Sequence, residues 1–221
     1  MTYAAIVYDL DGTLIDSAIV VAELLNELRA ERGLPALTMG DYKPWLSIGG
    51  RAMVAAALNI HESDAAAPLA AFRSRYHQRP TDPSTVFPDV RNTLTTLQRM
   101  GLKLGLCTNK PRALTDKVLR ETELQDFFAG VCAGNDLPTA KPHPDNLRVC
   151  LEALDTGAHD TLVIGDSSVD QQLAHASGAD FAFFSGGYDD GVKLTEGTPI
   201  IRHHSDVLDL ILKPNQRAHH E

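Results

Sequence analysis

Apolar positions along this chain fall into two patterns. Short, nearly unbroken apolar runs stand at 3–10 (YAAIVYDL), 102–107 (LKLGLC), 131–133 (VCA), 161–164 (TLVI) and 181–184 (FAFF). Each is rich in strand formers and too short for a helix of ordinary length, which predicts strands buried on both faces. Between them, stretches with helical spacing cover 90–100, 112–121, 144–154 and 169–177. Strand, helix, strand alternation at these lengths predicts βαβ units. The expected fold is therefore α/β: a Rossmann-like parallel sheet flanked by helices. In such sheets ligands gather outside the carboxyl ends of the strands. Asp9, Thr108 and Asp166 each fall at such an end.

Residues 17–85 break the rhythm, being rich in alanine and leucine with no convincing strand. Helices are expected there at about 17–32, 39–58 and 63–78, followed by the proline-containing stretch RPTDPSTVFPD at 79–89. This gives a core of 1–16 and 86–221 and a small helical cap, 17–85, inserted after the first strand. The tail RAHHE at 217–221 is expected to fray. Its histidine pair is either native or a remnant of cloning.

Composition narrows the function classes. A 221-residue chain that is 43% hydrophobic can bury a substantial core. The formal charge of -9 argues against a nucleic-acid footprint or docking on an anionic membrane. Acidity does not exclude an anionic substrate, because a bound cation reverses the field locally. No stretch approaches the roughly 18 consecutive apolar residues of a membrane span. The start MTYAAIVYDLDG has no basic region and does not read as a signal peptide. Cys107, Cys132 and Cys150 form no C-x-x-C pair and read as reduced thiols. A cytoplasmic protein is the expectation, monomer or homodimer.

Four short motifs carry chemistry. Asp9-Leu10-Asp11-Gly12-Thr13 sets two carboxylates one residue apart where a strand stops. Like charges about 4 Å apart cost about 4 kcal/mol at an effective dielectric of about 20. A shared cation or a retained proton relieves this, and either suits catalysis. The plain alternative is a turn, since D-G is a common turn dipeptide. Gly165-Asp166-Ser167-Ser168-Val169-Asp170 follows TLVI, with Asp166 at a strand end and Asp170 in the first turn of the next helix. Oxygen ligands of this kind suit a hard ion such as Mg²⁺. The alternative, an acidic helix N-terminus stabilised by the dipole, stays open for Asp170. Thr108-Asn109 can hydrogen-bond phosphoryl oxygens, and Lys141 in Ala140-Lys141-Pro142-His143-Pro144 can supply positive charge. Taken singly, these are also a Thr-Asn turn and a surface lysine before a proline-started helix.

In this order and on these elements, DLDGT, Thr108, Lys141 and GDSSVD resemble the haloacid dehalogenase superfamily over nearly the whole chain. The resemblance implies that Asp9 attacks phosphorus and that Asp11 protonates the leaving alcohol, then activates water. It implies Mg²⁺ held by Asp9, the Asp11 main-chain carbonyl and Asp166, with Asp170 supporting the metal waters or Lys141. Thr108 and Lys141 would bind the transferring phosphoryl, steadied by Thr13 and Asn109. Dehalogenases of the superfamily lack an acid at the position of Asp11, so a phosphatase or phosphomutase is implied. The insert corresponds to the family's C1 cap, which reads the leaving group. Its stretch 43–51 (KPWLSIGGR), the KPHP at 141–144 and the late Gly186-Gly187-Tyr188 look like phosphoglycolate phosphatases. Gly49 and Gly50 would allow close backbone approach, and Arg51 would pair with a substrate carboxylate. Sugar and amino-sugar phosphates remain alternative substrates among small phosphate esters, and a β-phosphoglucomutase-type mutase remains an alternative reaction. A phospho-accepting signalling module is more remote, because its acceptor sits on a middle strand and it has no cap. A catalytically dead binding protein is disfavoured by the full set of catalytic groups. Trp45 is expected in the cap core, and His143 in the KPHP turn.

Overall fold

A computed structural model describes residues 3–47 and 49–212, so the tail RAHHE and Ile48 lie outside the described residues. The strands are β1 (Ala5–Tyr8), β2 (Lys103–Cys107), β3 (Gly130–Cys132), β4 (Thr161–Gly165), β5 (Asp180–Phe184) and β6 (Ile200–Ile201). They form one parallel sheet in the order β3-β2-β1-β4-β5-β6. The chain builds outward from β1 through β2 to β3, then crosses back to place β4 on the other side of β1. Strand order reverses beside β1, where a crevice opens at the carboxyl ends.

The helices α1 (Ala18–Ala30), α2 (Met39–Leu46), α3 (Gly50–Leu58) and α4 (Ala66–Gln78) lie between β1 and β2. Then follow α5 (Val90–Arg99), α6 (Arg112–Glu121), α7 (Pro144–Ala153), α8 (Ser168–Ser177) and α9 (Asp206–Leu212). Every residue of β1 is buried, because both sheet faces are covered. Ile6 and Tyr8 join a core with Leu94 and Leu97 of α5, Val118 of α6 and Val207 of α9. Ala5 and Val7 face the other way, onto Leu147 and Cys150 of α7 and Leu173 of α8. A strand buried on both faces reads as an unbroken apolar run, which is why the sheet was visible in the sequence.

Two expectations need correction. The single helix expected over 39–58 is two, α2 and α3, because the backbone turns at Gly49 and Gly50, with φ of 60° and 56°. Only glycine adopts such values without strain, and an α-helix cannot continue through them. The strand β6 and helix α9 were not expected; two residues of strand are too few to show periodicity.

The chain leaves and re-enters the α/β body side by side. Asp16 N–H donates to the Thr85 carbonyl at 2.7 Å, and Phe87 N–H to the Leu14 carbonyl at 3.0 Å. Lys117 of α6 holds the returning segment, its Nζ 2.7 Å from the Arg79 carbonyl and 3.1 Å from the Thr81 hydroxyl.

Candidate active site

Beyond Tyr8 the β1 pairing runs on for one step, as Asp9 N–H donates to the Ile164 carbonyl at 2.9 Å. Asp9 therefore emerges between the ends of β2 and β4. Lys141, in the loop before α7, reaches it from the side. Its Nζ lies 2.7 Å from Asp9 Oδ1, 2.7 Å from Asp170 Oδ1 and 2.9 Å from the Cys107 carbonyl. Asn109 clamps that loop: Lys141 N–H donates to Asn109 Oδ1 at 2.8 Å, and Asn109 Nδ2 donates to the Lys141 carbonyl at 3.2 Å. Burial pulls the Lys141 pKa down, but Asp170 and Asp9 outweigh it and hold the value above the ordinary one. The ammonium is thus fixed and charged, bearing three hydrogen bonds in a dry setting.

The acids feel the opposite pressure. Burial lifts the Asp9 carboxyl to about 6; Lys141 pulls it down, while Asp170 and Asp11 add to the rise. Asp166, 1% exposed, is pushed well above its usual range by burial, then by Asp170 and Asp9. It is steadied by Tyr188 N–H at 2.7 Å and the Thr13 hydroxyl at 3.0 Å. Carboxylate oxygens of Asp9, Asp166 and Asp170 lie within 4.8 Å of one another. Such a donor set fits a hard divalent cation such as Mg²⁺, which would relieve the burial and repulsion that perturb Asp9 and Asp166. Asp170 is otherwise engaged. One of its oxygens accepts from Lys141, and the other accepts from the Ser167 hydroxyl at 2.6 Å in the capping box that starts α8.

The turn after Asp9 needs its glycine. Gly12 has φ +84°, and a Cβ there would run into the Asp166 carboxylate. The same turn presents the Thr13 hydroxyl to Asp166, while the Thr13 carbonyl meets His204 Nε2 at 2.9 Å. Asp11 turns to other partners. Ser17 Oγ donates to it at 2.6 Å, and Lys110 Nζ lies 3.0 Å from both its oxygens. Lys110 also donates to the Tyr76 hydroxyl of α4 at 3.0 Å and sits 4.2 Å from that ring's centroid. Burial lowers the Lys110 pKa, but Asp11 and Tyr76 raise it above the ordinary value. Thr108 is buried at the end of β2, its hydroxyl accepting from Lys110 N–H at 3.2 Å.

These groups open on a cavity of about 330 Å³, walled by the strand ends on one side and by α2, α3 and α4 on the other. Asp9, Asp11, Thr108, Asn109, Lys141 and Asp166 line it, as do Gly49 and Gly50. Thr13 and Asp170 lie behind that wall, bonded to Asp166 and Lys141. Arg51 and Arg73 are both exposed; Arg73 of α4 is among the lining residues and Arg51 is not. Trp45 stands edge-on to Tyr42 with centroids 6.0 Å apart and does not line the cavity. His143 Nδ1 accepts from Asp145 N–H at 3.3 Å, capping α7.

Sequence reasoning missed Lys110, Ser17, Tyr76 and Arg73. Lys110 stood directly after Thr108-Asn109 and before a proline, a place where the loop leaving a strand end must pass the crevice. Arg73 stood between Phe72 and Tyr76 on an otherwise apolar face. Those were the available signals. Asp11 with Tyr76 and Lys110 is a meeting of three distant segments, which no local pattern shows.

Comparison with known proteins agrees with this geometry. The haloacid dehalogenase-like hydrolase family matches residues 6–184. A phosphoglycolate phosphatase of Yersinia pestis is 32% identical over 95% of this chain and 94% of that protein. One from Pseudomonas syringae pv. syringae is 35% identical over 88% of this chain and 74% of that protein. Among solved structures, a predicted phosphoglycolate phosphatase from Haemophilus somnus 129PT superposes with a TM-score of 0.86 at 24% identity, covering 95% of this chain and 98% of that one. CbbY from Rhodobacter sphaeroides, solved with xylulose-(1,5)-bisphosphate, shares the fold at a TM-score of 0.74 and 18% identity, covering 92% of this chain and 96% of that one. The chain belongs to the haloacid dehalogenase-like hydrolases, and among them it is a phosphatase of the phosphoglycolate phosphatase-like kind.

Proposed function

We propose that this protein hydrolyses small phosphate monoesters by way of an aspartyl phosphate on Asp9, with phosphoglycolate as its leading substrate. The observation that carries the reading is the state of Asp9: Lys141 holds its Oδ1 at 2.7 Å, and its other oxygen has no hydrogen bond among the described residues. Asp9 lines the cavity, and in this reading that oxygen is the nucleophile.

In the first half-reaction, the free Asp9 oxygen bonds to phosphorus while the ester P–O bond breaks. Asp11 gives its proton to the departing alkoxide oxygen. In the second, Asp11 takes a proton from water, the water oxygen bonds to phosphorus, and the Asp9–phosphorus bond breaks to release phosphate. Asp11 enters the first step as the protonated acid and leaves it as the carboxylate that Ser17 and Lys110 hold for the second. Lys141 and the Thr108 hydroxyl meet the phosphoryl oxygens, and Asn109 keeps the Lys141 loop in register. Mg²⁺ would be held by Asp9, Asp166 and the Asp11 carbonyl. It supplies positive charge that lets a carboxylate approach a phosphate dianion.

Residues 17–85 act in this reading as a cap that closes the cavity, and the hydrogen-bonded segments at 14–16 and 85–87 are its base. The roughly 300 Å³ scale typical of the smallest ligand sites suits a short ester better than a nucleotide. Three buried free cysteines support a reducing, cytoplasmic setting. The test is release of inorganic phosphate from phosphoglycolate and sugar phosphates with Mg²⁺, wild type against Asp9→Asn. The variant is expected to lose about a thousandfold or more in kcat. Full activity in Asp9→Asn would sink the mechanism, and isomer formation without phosphate release would make the protein a mutase instead.

A further inference from the structure

Lys110 is fixed at both ends. Its carbonyl accepts from Gly134 N–H at 2.9 Å and from the Thr115 hydroxyl at 3.0 Å, which ties its main chain to the α/β body. Its ammonium has three protons and three oxygens to meet them, the two oxygens of Asp11 and the hydroxyl of Tyr76, each at 3.0 Å. In this arrangement no proton is left over for a substrate oxygen, so Lys110 serves Asp11 and not the phosphoryl group. Asp11 depends on it unevenly. Ser17 and Lys110 both hold Oδ1, while Oδ2 has Lys110 as its one hydrogen-bond partner among the described residues. Tyr76 reaches the same ammonium from the opposite wall. It is buried on α4, and its hydroxyl bonds to Lys110 alone. Among the described residues this is the one hydrogen bond from α4 to the α/β body.

A buried tyrosine hydroxyl needs some partner, and a lysine would satisfy it without further purpose. The placement says more. The far end of Lys110 is held by Asp11 and Tyr76 only, so loss of the Tyr76 hydroxyl frees the ammonium to pivot about Asp11, and Oδ2 loses its bearing. We infer that Tyr76 is a positioning residue for the second half-reaction: through Lys110 it sets the Asp11 carboxylate where it takes a proton from the attacking water. This rests on the phosphatase reading above and adds to it a residue of the inserted helices. The water oxygen goes to phosphorus and the proton to Asp11, as before; Tyr76 touches neither and acts through the lysine. Hydrolysis of the phosphoaspartate is then tied to the seat of α4 over the strand ends, since an α4 that lifts away takes the hydroxyl with it. Formation of the phosphoaspartate has no such tie when the leaving group needs no proton.

The experiment uses the full chain with Mg²⁺ present and acetyl phosphate as the probe, whose acetate leaves without a proton. Rapid mixing, acid quench and the mass of the intact protein give the rates at which the phosphoenzyme forms and is lost. The quantity read is the ratio of formation rate to loss rate. Tyr76→Phe is expected to raise that ratio about tenfold, the lower end of what one hydrogen bond to a charged group is worth, so that phosphoenzyme accumulates. Lys110→Met is expected to raise it at least as far, and the double variant no further than Lys110→Met, because Tyr76 acts through Lys110. A purely structural role would slow both steps alike or reduce the amount of folded protein, and the ratio would stay put. An unchanged ratio in Tyr76→Phe therefore overturns the inference, and so does a double variant in which the two effects multiply. Tyr76→Leu removes the same hydroxyl and decides the matter if the phenylalanine variant does not fold. If no phosphoenzyme forms in wild type or in Asp11→Asn, which should trap it, the phosphatase reading fails and the inference falls with it. Phosphoenzyme that is trapped in Asp11→Asn but lost at the wild-type rate in Tyr76→Phe overturns the inference alone.

Discussion

His204 makes a prediction that links the periphery of the fold to the catalytic turn. It is 2% exposed, packed 4.6 Å from the Phe184 ring centroid, and bonded through Nε2 to the Thr13 carbonyl. Burial pushes its pKa from the ordinary 6.5 down to about 4, although the Thr13 carbonyl and Asp89 pull the other way. Between those two values the unfolded chain binds a proton that the folded chain refuses. Stability from this residue is therefore complete above about pH 6.5, declines as pH falls, and levels off below about pH 4. Integrated between about pH 7 and about pH 4.5, the loss is about 2.4 kcal/mol. His204→Gln keeps an amide donor for the Thr13 carbonyl and removes the titration. Asp9, raised from 3.8 to about 6, contributes a slope of opposite sign over part of the range, so the difference between the two proteins is the quantity to read. Urea unfolding of both proteins across this pH range, in chelator, gives it. Wild type should lose about 2 kcal/mol more than the variant on acidification. Parallel curves, or a variant more acid-sensitive than wild type, would refute the argument.

Three further outcomes follow from the site. Lys141→Met leaves Asp170, 1% exposed, and Asp9 without their shared cation; a loss of about 3–5 kcal/mol in urea unfolding and of phosphate release is expected, and a stable, active variant would contradict it. Gly12→Ala forces a Cβ into the Asp166 carboxylate at φ +84°, so thermal unfolding should show a loss of about 1–3 kcal/mol and the dependence of rate on Mg²⁺ should weaken. Mg²⁺ at about 100 times its Kd should stabilise the wild type by about 2.7 kcal/mol, and Asp166→Asn should remove most of that rise in melting temperature; equal stabilisation in both would place the metal elsewhere.

The parts of the molecule that could be read from the sequence share a physical cause. Strands such as β1 and β4 are covered on both faces, so their apolar runs stop abruptly, and the polar residue after each stop is at the crevice. That rule located Asp9, Thr108 and Asp166 without any three-dimensional information. It has no equivalent for the helical insert. The break between α2 and α3 depends on the backbone at Gly49 and Gly50, in a stretch whose composition otherwise suits a helix. Arg51 was singled out because it follows those glycines, yet the arginine that lines the cavity is Arg73 of α4, itself exposed. Lys110 and Asp11 are 99 positions apart, and Lys110 and Tyr76 are 34 apart. Contacts of that kind follow from the docking of the insert onto the sheet, which leaves no periodic trace.

The charges at the strand ends explain how so acidic a protein can take an anion. Asp9, Asp11, Asp166 and Asp170 face Lys110 and Lys141, four carboxylates against two ammoniums, for a formal charge of -2. A phosphate dianion would be repelled from that set, and burial, then the neighbouring carboxylates, already raise the pKa values of Asp9 and Asp166. One divalent cation brings the set to neutrality, and the dianion then meets no net repulsion from it. The lysines cannot do this alone, because each ammonium is already shared with an acid. If such a cation is bound, chelating it should act on substrate binding as well as on the chemical step, while adding salt should affect the exposed arginines of the inserted helices more than the buried pairs.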